Sequence, residues 1–577
     1  MIIRVWAPAA HYVQLDLASD RLPMVRADGG WWMIDTPRAL PGVDYAFVLD
    51  GAEPPLPDPR SQSQPHGVHG RSRIVDHSTF NWADAGWNAP ALDSAIVYEM
   101  HVGTFTAIGT FDAAIDRLGH LTDLGITHVE LMPIVEFSGD RGWGYDGVDI
   151  FAPHHAYGGP EALKRLVDGC HTRGLAVVLD VVYNHFGPSG NYLPRFGPYL
   201  THRYATPWGD AINFDERGSD EVRRLFCDNA LMWFRDYHFD GLRIDAVHAI
   251  VDTSAIHFLE QLANEVAALE QELGRRLVLI AESDLNDPRL ARACELGGYG
   301  LSAQWSDDFH HALHTVLTGE RAGYYADFGS IADLAKALQQ AWVYDGRYSN
   351  FRGRRHGRSP TGLSGHRFLG YAQTHDQIGN RAKGDRSSHL MSTGRLKIAA
   401  ALILTSPFVP MLFQGEEWGA STPFLYFTGH EDPDLGRAVS AGRKREFAAF
   451  GWAPEEIPDP QGLETFEHSK LNWGELSREP HRGILEWHRE LIRLRALMPE
   501  LRDGRMDLID IVFDEDARWL RVTRGPATIA CNLSGAPKSI PIASGTPHRL
   551  AMASDARVAI GGFHVYLLPD SVAILLR

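Results

Sequence analysis

The chain has 577 residues, 44% of them apolar, and a formal net charge of −18. That length exceeds one ordinary domain and supplies enough apolar surface for large cores. Phosphate backbones bind clustered Lys and Arg, so an acidic chain with no basic stripe excludes a nucleic-acid binder and suits a neutral ligand.

No run reaches the roughly 18 apolar residues of a membrane span. The start, Met1-Ile-Ile-Arg-Val-Trp6, lacks the charged region and long apolar stretch of a signal peptide. Cys170, Cys227, Cys294 and Cys531 are far apart and form no Cys-x-x-Cys pair. They read as buried free thiols rather than a disulfide framework, so a cytoplasmic protein without membrane contact is expected.

From residue 1 to about 90, short pieces such as Val13-Gln-Leu-Asp-Leu17 and Tyr45-Ala-Phe-Val-Leu49 alternate apolar and polar residues between Gly-, Pro- and Asp-rich turns. This spacing predicts a small antiparallel β-sandwich, with Trp6, Trp31 and Trp32 in its core. Residues 91–500 carry eight β-branched or apolar runs: Ser94–His101, Ile126–Ile134, Leu175–Asn184, Phe239–Val247, Arg276–Ser283, Gly300–Asp307, Phe368–Asp376 and Phe408–Glu416. Helix-like stretches separate most of them, which predicts a (β/α)8 barrel, an α/β catalytic domain. Stretches at about 185–238, 319–366 and 428–473 are too long for simple connections and read as insertions shaping access to one face. The second contains the Arg-rich loop Arg352–Arg358, which is either a solvated connector or a border of the cleft. Residues 501–577 return to short strands, such as Ala527-Thr-Ile-Ala530, and predict a second β-sandwich.

Asp180, Asp245, Glu282 and Asp376 each fall in the C-terminal part of a run. In such a barrel the C-terminal strand ends converge on the face that carries chemistry. Side chains alternate along a strand, so Arg243 and Asp245 point the same way, and a guanidinium nearby favours an ionised carboxylate. Glu282 ends an apolar run, where partial burial favours the protonated form. A charged carboxylate beside a neutral one is the arrangement used in glycoside hydrolysis.

Asp180-Val-Val-Tyr-Asn-His185, Gly241-Leu-Arg-Ile-Asp-Ala-Val-His248, Ala281-Glu282 and His375-Asp376 resemble, in order, the four signature segments of glycoside hydrolase family 13, the α-amylase family. The resemblance implies Asp245 as nucleophile, Glu282 as general acid/base and Asp376 as transition-state stabiliser. It also implies that Asp180, His185, Arg243 and His375 hold the reacting sugar, that Tyr145 stacks on it, and that His248 contacts the leaving-group side. Tyr98–Phe105, Gly142–Val148, His375–Arg381, Arg443–Trp452, and the approach Pro57-Asp-Pro59 with His66–Gly70 are similar to the trehalose-releasing members of that family. One departure is Thr374, where those members more often have Asn. This closer resemblance implies a maltooligosyltrehalose or α-glucan oligosaccharide substrate and functional pairing with maltooligosyltrehalose synthase. It implies a retaining double displacement. Transfer, as in a glycogen branching enzyme or a related α-glucan-active transferase, is the alternative. A non-catalytic glycan-binding module is a third reading, disfavoured because all three acids are present.

Other signals carry less. Gly142-Trp-Gly-Tyr-Asp-Gly147 matches G-x-G-x-x-G, but no helix-forming stretch follows to meet a phosphate. His310-His-Ala-Leu-His314 has helical metal spacing without a matching carboxylate, and reads as cleft lining. Some α-amylases bind calcium near the position of Asn184, yet no acid-rich loop accompanies it here. No metal or cofactor is therefore expected.

Overall fold

The fold is described from a computed structural model of the chain, which describes every residue except 19, 449–451 and 543–546. Residues 449–451 of the Arg443–Trp452 segment thus lie outside the described residues.

Eight parallel strands close into a barrel. They are β1 (Val97–Met100), β2 (His128–Leu131), β3 (Ala176–Val181), β4 (Gly241–Ile244), β5 (Val278–Ala281), β6 (Ala303–Trp305), β7 (Phe368–Gly370) and β8 (Val409–Phe413). Each lies inside one of the eight runs, and every residue in them is buried. Strands covered on both faces must be apolar throughout, which is why the runs are continuous rather than alternating. Parallel register sets Asp180 of β3 beside Arg243 of β4, and Glu99 of β1 beside Glu130 of β2.

Helices cover the barrel because their apolar stripes repeat at helical spacing. Helix Phe258–Leu273, for example, buries Phe258, Leu259, Leu262, Val266 and Leu269, and Gly274 ends it in the left-handed conformation. The alternation lapses between β5 and β6, where the chain makes a 3₁₀ turn at Cys294–Leu296 instead of an α-helix. Pro288 and Gly297-Gly298 interrupt any helical run there.

The stretch after β3 holds an antiparallel hairpin, Leu200–Thr206 with Gly209–Ile212, then helix Ser219–Asp236. The stretch after β6 adds helix Ile331–Gln340 and the hairpin Asp345–Ser349 with Arg354–Gly357. That after β8 adds helix Pro433–Ala448 and helix Leu463–His468.

N-terminal to the barrel are antiparallel sheets of three and four strands. Trp6 packs edge-on against Tyr199 at 5.1 Å, and Arg60 pairs with Asp228 at 2.7 Å, which ties these sheets to the stretch after β3. Trp6 and Trp32 are core residues as expected. Trp31 is only partly buried, with Arg4 and Arg60 over its ring. C-terminal to the barrel are antiparallel sheets of five and three strands. Arg524 anchors them by donating to the carbonyls of Thr405 and Ser406, both at 2.7 Å. Cys170, Cys227 and Cys531 are buried free thiols, whereas Cys294, on the 3₁₀ turn, is partly exposed. Among the described residues no helix is long and apolar enough to cross a membrane.

Candidate active site

The site is built around one buried guanidinium. Arg243 is 0% exposed and lies over the ring of Trp305 at 4.2 Å. Its Nη1 donates to both carboxylate oxygens of Asp180 and to Oδ1 of Asp245, all at 2.8 Å. Its Nη2 has no hydrogen-bond partner among the described residues and stands 3.8 Å from Glu282 Oε2. A dry cation of this kind persists only if several carboxylates surround it. Residues on β3, β4 and β5 are thereby drawn to one point.

Asp245 follows β4 and is fixed from a second side by Asn184, whose Nδ2 donates to Asp245 Oδ2 at 2.8 Å. Glu282 follows β5. The intervening Ala246 adopts φ +39°, a left-handed conformation unusual for alanine, and its N–H donates to Glu282 Oε2 at 2.5 Å. Strain at a non-glycine residue clusters where the surroundings fix a functional geometry. Here it aims a backbone donor at the second acid. Burial pushes the Glu282 carboxyl well above the usual range; Arg243 opposes this, and Asp245, Asp376 and Asp307 add to it. A carboxyl so placed keeps its proton near neutral pH. Burial likewise lifts Asp180 to about 6, against the pull of Arg243.

Tyr145 reaches the site from the loop after β2. Its hydroxyl donates to Asp180 Oδ2 at 2.6 Å and lies 2.7 Å from His375 Nε2, with the two rings stacked. Gly144, at φ +98°, makes this approach feasible: a Cβ there would fall 2.1 Å from the carbonyl oxygen of Pro133. This is the use of the G-x-G-x-x-G segment, which runs into strand Asp149–Pro153 and not into a helix. His185 is held between the Tyr145 carbonyl, 3.0 Å from Nε2, and the ring of Trp208, stacked at 4.5 Å. Burial lowers the pKa of His185.

His375 and Asp376 open a short helix after β7. Thr374 caps it, accepting from the Asp376 N–H at 3.2 Å, while Gln377 Oε1 accepts the Thr374 N–H at 2.7 Å. The residue departing from the family pattern thus fixes the backbone of Asp376. Burial alone would depress His375, but Asp376 and Glu99 override it and push it up to about 9.

Tyr145, Asp180, His185, Arg243, Asp245, Glu282, His375 and Asp376 therefore gather in one network. His248 stands apart from this network; it is exposed on the turn Val247–Ala249 and acts on Asp284 through charge alone. The Arg-rich loop reaches the turn that follows Glu282: Arg352 pairs with Asp284 at 2.9 Å, and His356 bonds the Asp284 carbonyl at 2.7 Å. Of the helical histidines, His310 bonds Tyr325 at 2.9 Å and His314 bonds Glu320 at 2.8 Å. Asn184 directs its amide at Asp245.

Sequence reasoning passed over three features. Asp307, which closes the sixth run and takes a hydrogen bond from Tyr371, is lifted by burial to about 6. Its strand-end position was the same signal that marked the other acids. Glu99, inside the barrel, gave no such signal. Glu136, His154 and His155 gather their ligating atoms within 4.8 Å of one another. Glu136 accepts from the His155 ring at 2.6 Å and from its N–H at 2.9 Å, with His154 Nδ1 at 3.1 Å, so a carboxylate shared by two imidazoles accounts for the cluster.

The family described as alpha amylase, catalytic domain, matches residues 79–198. The malto-oligosyltrehalose trehalohydrolase of Rhizobium sp. (strain M-11) is 50% identical, over 99% of this chain and 97% of that protein. The protein of the same name from Mycobacterium tuberculosis (strain ATCC 25618 / H37Rv) is also 50% identical, over 99% of this chain and 98% of its own length. A crystal structure of a Salmonella typhimurium protein provisionally called an alpha amylase aligns with a TM-score of 0.91 at 38% identity, covering 100% of this chain and 97% of that one. Identity of this order from end to end, around a barrel whose strand ends carry the acids in sequence, means that the chain belongs to the malto-oligosyltrehalose trehalohydrolase family of glycoside hydrolases.

Proposed function

We propose that the protein hydrolyses the α-1,4 bond next to the terminal trehalose unit of maltooligosyltrehalose, releasing trehalose and a maltooligosaccharide. The observation that carries this reading is the single guanidinium touching Asp245 and facing Glu282, set in a chain half identical to trehalohydrolases over its full length. Asp245, held by Arg243 and Asn184, attacks the anomeric carbon. Glu282, protonated in its buried position, gives its proton to the departing trehalose oxygen and later takes one from water. A glycosyl ester on Asp245 is the intermediate, so configuration is retained. Asp376 stabilises the charge that develops on the ring, while Asp180, His185, Arg243 and His375 hold the sugar and Tyr145 packs on it. His248 and the Arg352 loop lie toward the leaving group.

We place the protein in the cytoplasm, working after the synthase that makes maltooligosyltrehalose, with sandwich domains at about 1–90 and 501–577 flanking the barrel. Product analysis tests the reading. Free trehalose should appear quickly from a maltooligosyl-trehalose, with little glucose or maltose from maltopentaose. Branched products from amylose, seen as altered iodine staining, would instead point to transfer.

A further inference from the structure

The barrel interior contains carboxylates that the reaction above does not use. Glu99 on β1 and Glu130 on β2 are neighbours in register, and each is about 1% exposed. A buried carboxylate is costly unless it is paired. Glu99 is paired with one residue, and through two atoms. Its Oε2 accepts the backbone N–H of His375 at 3.2 Å, and its Oε1 faces the His375 ring Nδ1 in a short contact.

The rest of the line follows from counting protons. Asp180 takes two hydrogen bonds from Arg243 and so acts as an acceptor. The Tyr145 hydroxyl has one proton, and it goes to Asp180 Oδ2 at 2.6 Å. Tyr145 Oη, 2.7 Å from His375 Nε2, is then left to accept, so Nε2 carries hydrogen. The opposite ring nitrogen faces a carboxylate and must donate as well. Both nitrogens are protonated only in the imidazolium. A continuous path thus runs from Glu99 through His375, Tyr145, Asp180 and Arg243 to Asp245.

We propose that Glu99 is a positioning residue that keeps His375 an imidazolium, so that its Nε2–H holds Tyr145 in place and a second positive charge lies beside Asp376. The proposal rests on the functional reading above, in which His375 and Tyr145 hold the reacting sugar. The groups facing His375 are Glu99, Asp376 (3.5 Å from Nε2), Asp180, Arg243, His101 and Glu130, with the rings of Trp143, Tyr145 and Trp305 around it. Asp376 and Glu99 are the two that raise its proton affinity most, against the effect of burial. Removing Glu99 leaves Asp376 and Asp180 alone to oppose burial, Arg243 and His101, which favour the neutral ring.

Two measurements on the full-length protein test this. In the wild type, selectively ¹⁵N-labelled at histidine and assigned against His375→Asn, both His375 nitrogens should carry the shifts of a protonated ring throughout pH 6–8. A neutral His375 in that range overturns the proposal, whatever the substrate proves to be. Glu99→Gln keeps the shape and loses the charge. It should lower kcat/KM on a maltooligosyl-trehalose by about 30-fold or more and move the alkaline limb of its pH profile down by roughly one unit or more. Glu99→Asp, which keeps the charge, should recover part of that activity. A Glu99→Gln enzyme with an unshifted profile and kcat/KM within about threefold of wild type overturns the proposal. A wild type that releases no trehalose would sink the functional reading and leave the ring measurement standing.

Discussion

Replacing Arg243 with Met keeps most of the side chain's length and removes its charge. Three hydrogen bonds at 2.8 Å disappear, two to Asp180 and one to Asp245, together with the 3.8 Å approach to Glu282. What remains is three carboxyl groups with no guanidinium among them, the His375 ring reaching Asp180 only through the Tyr145 hydroxyl. Removing one partner from a buried ion pair costs about 3–5 kcal/mol of stability, part of which the site recovers by taking up protons. Asp180, already at about 6 with Arg243 present, must rise further without it. Near pH 7 it would then hold a proton and accept only weakly from Tyr145. Asp245 loses one charge-assisted hydrogen bond, worth about 1.5–3 kcal/mol, which alone is roughly 10- to 150-fold in rate if it acts in the transition state. With the displaced sugar contacts added, kcat/KM for trehalose release should fall by about 10³-fold or more, mostly in kcat. Urea unfolding gives the stability change, and timed trehalose release gives the rate. Arg243→Lys should fall between wild type and Arg243→Met, because an ammonium keeps the charge but loses the planar group that lies over Trp305 and approaches Glu282. Activity within about tenfold of wild type, from a fully folded Arg243→Met protein, would refute the view that this guanidinium organises the site.

Three further outcomes follow from individual contacts. Glu282→Gln should reduce hydrolysis of maltooligosyl-trehalose by about 10³-fold or more, yet spare much of the glycosylation step for a substrate whose leaving group needs no proton, such as a glucosyl fluoride; equal losses on both substrates would remove Glu282 from the acid role. Gly144→Ala should raise KM and lower the melting temperature, since its Cβ meets the Pro133 carbonyl in a left-handed backbone and displaces the adjoining Tyr145; an unchanged KM would mean that this loop does not set the Tyr145 position. Glu416, lifted by burial to about 8 from its ordinary 4.5, binds a proton in the folded state that the unfolded chain gives up. Its contribution is fully present below about pH 4.5 and is lost as pH rises toward about 8, at up to roughly 1.4 kcal/mol per unit. Glu416→Gln should therefore gain on the wild type in denaturant unfolding as pH increases from 5 to 8, and a constant difference over that range would contradict the assignment.

The barrel was legible because a strand covered on both faces has little freedom of composition. Val177-Val-Leu-Asp-Val181 can hardly be anything but a buried strand. The acids were legible for a related reason: a carboxylate at the end of such a run has nowhere to go except the barrel mouth. The same rule applied to Asp307 and Glu416, at the ends of the sixth and eighth runs, and both are buried acids with raised proton affinity. What the rule cannot reach is a polar residue inside a run. Glu99 looks like an interruption of Tyr98-Glu-Met, and its reason lies 276 residues away in His375.

The break in the β-α alternation at Cys294–Leu296 and the exposure of Cys294 belong together. Where no helix covers the barrel, the thiol on the covering turn is left partly open, and Cys spacing alone gives no hint of it. His248 illustrates a further limit. It lies three residues beyond Asp245 on the segment Gly241–His248, but the left-handed turn at Ala246 directs the chain away from the strand axis, and His248 ends on the surface beside Asp284. That one turn does two things: it puts an N–H on Glu282, and it releases the next residues from the barrel interior to face whatever occupies the outer cleft. Strand patterning accounts for the acids at the barrel mouth, whereas the turns and insertions around them follow no periodicity that could be read.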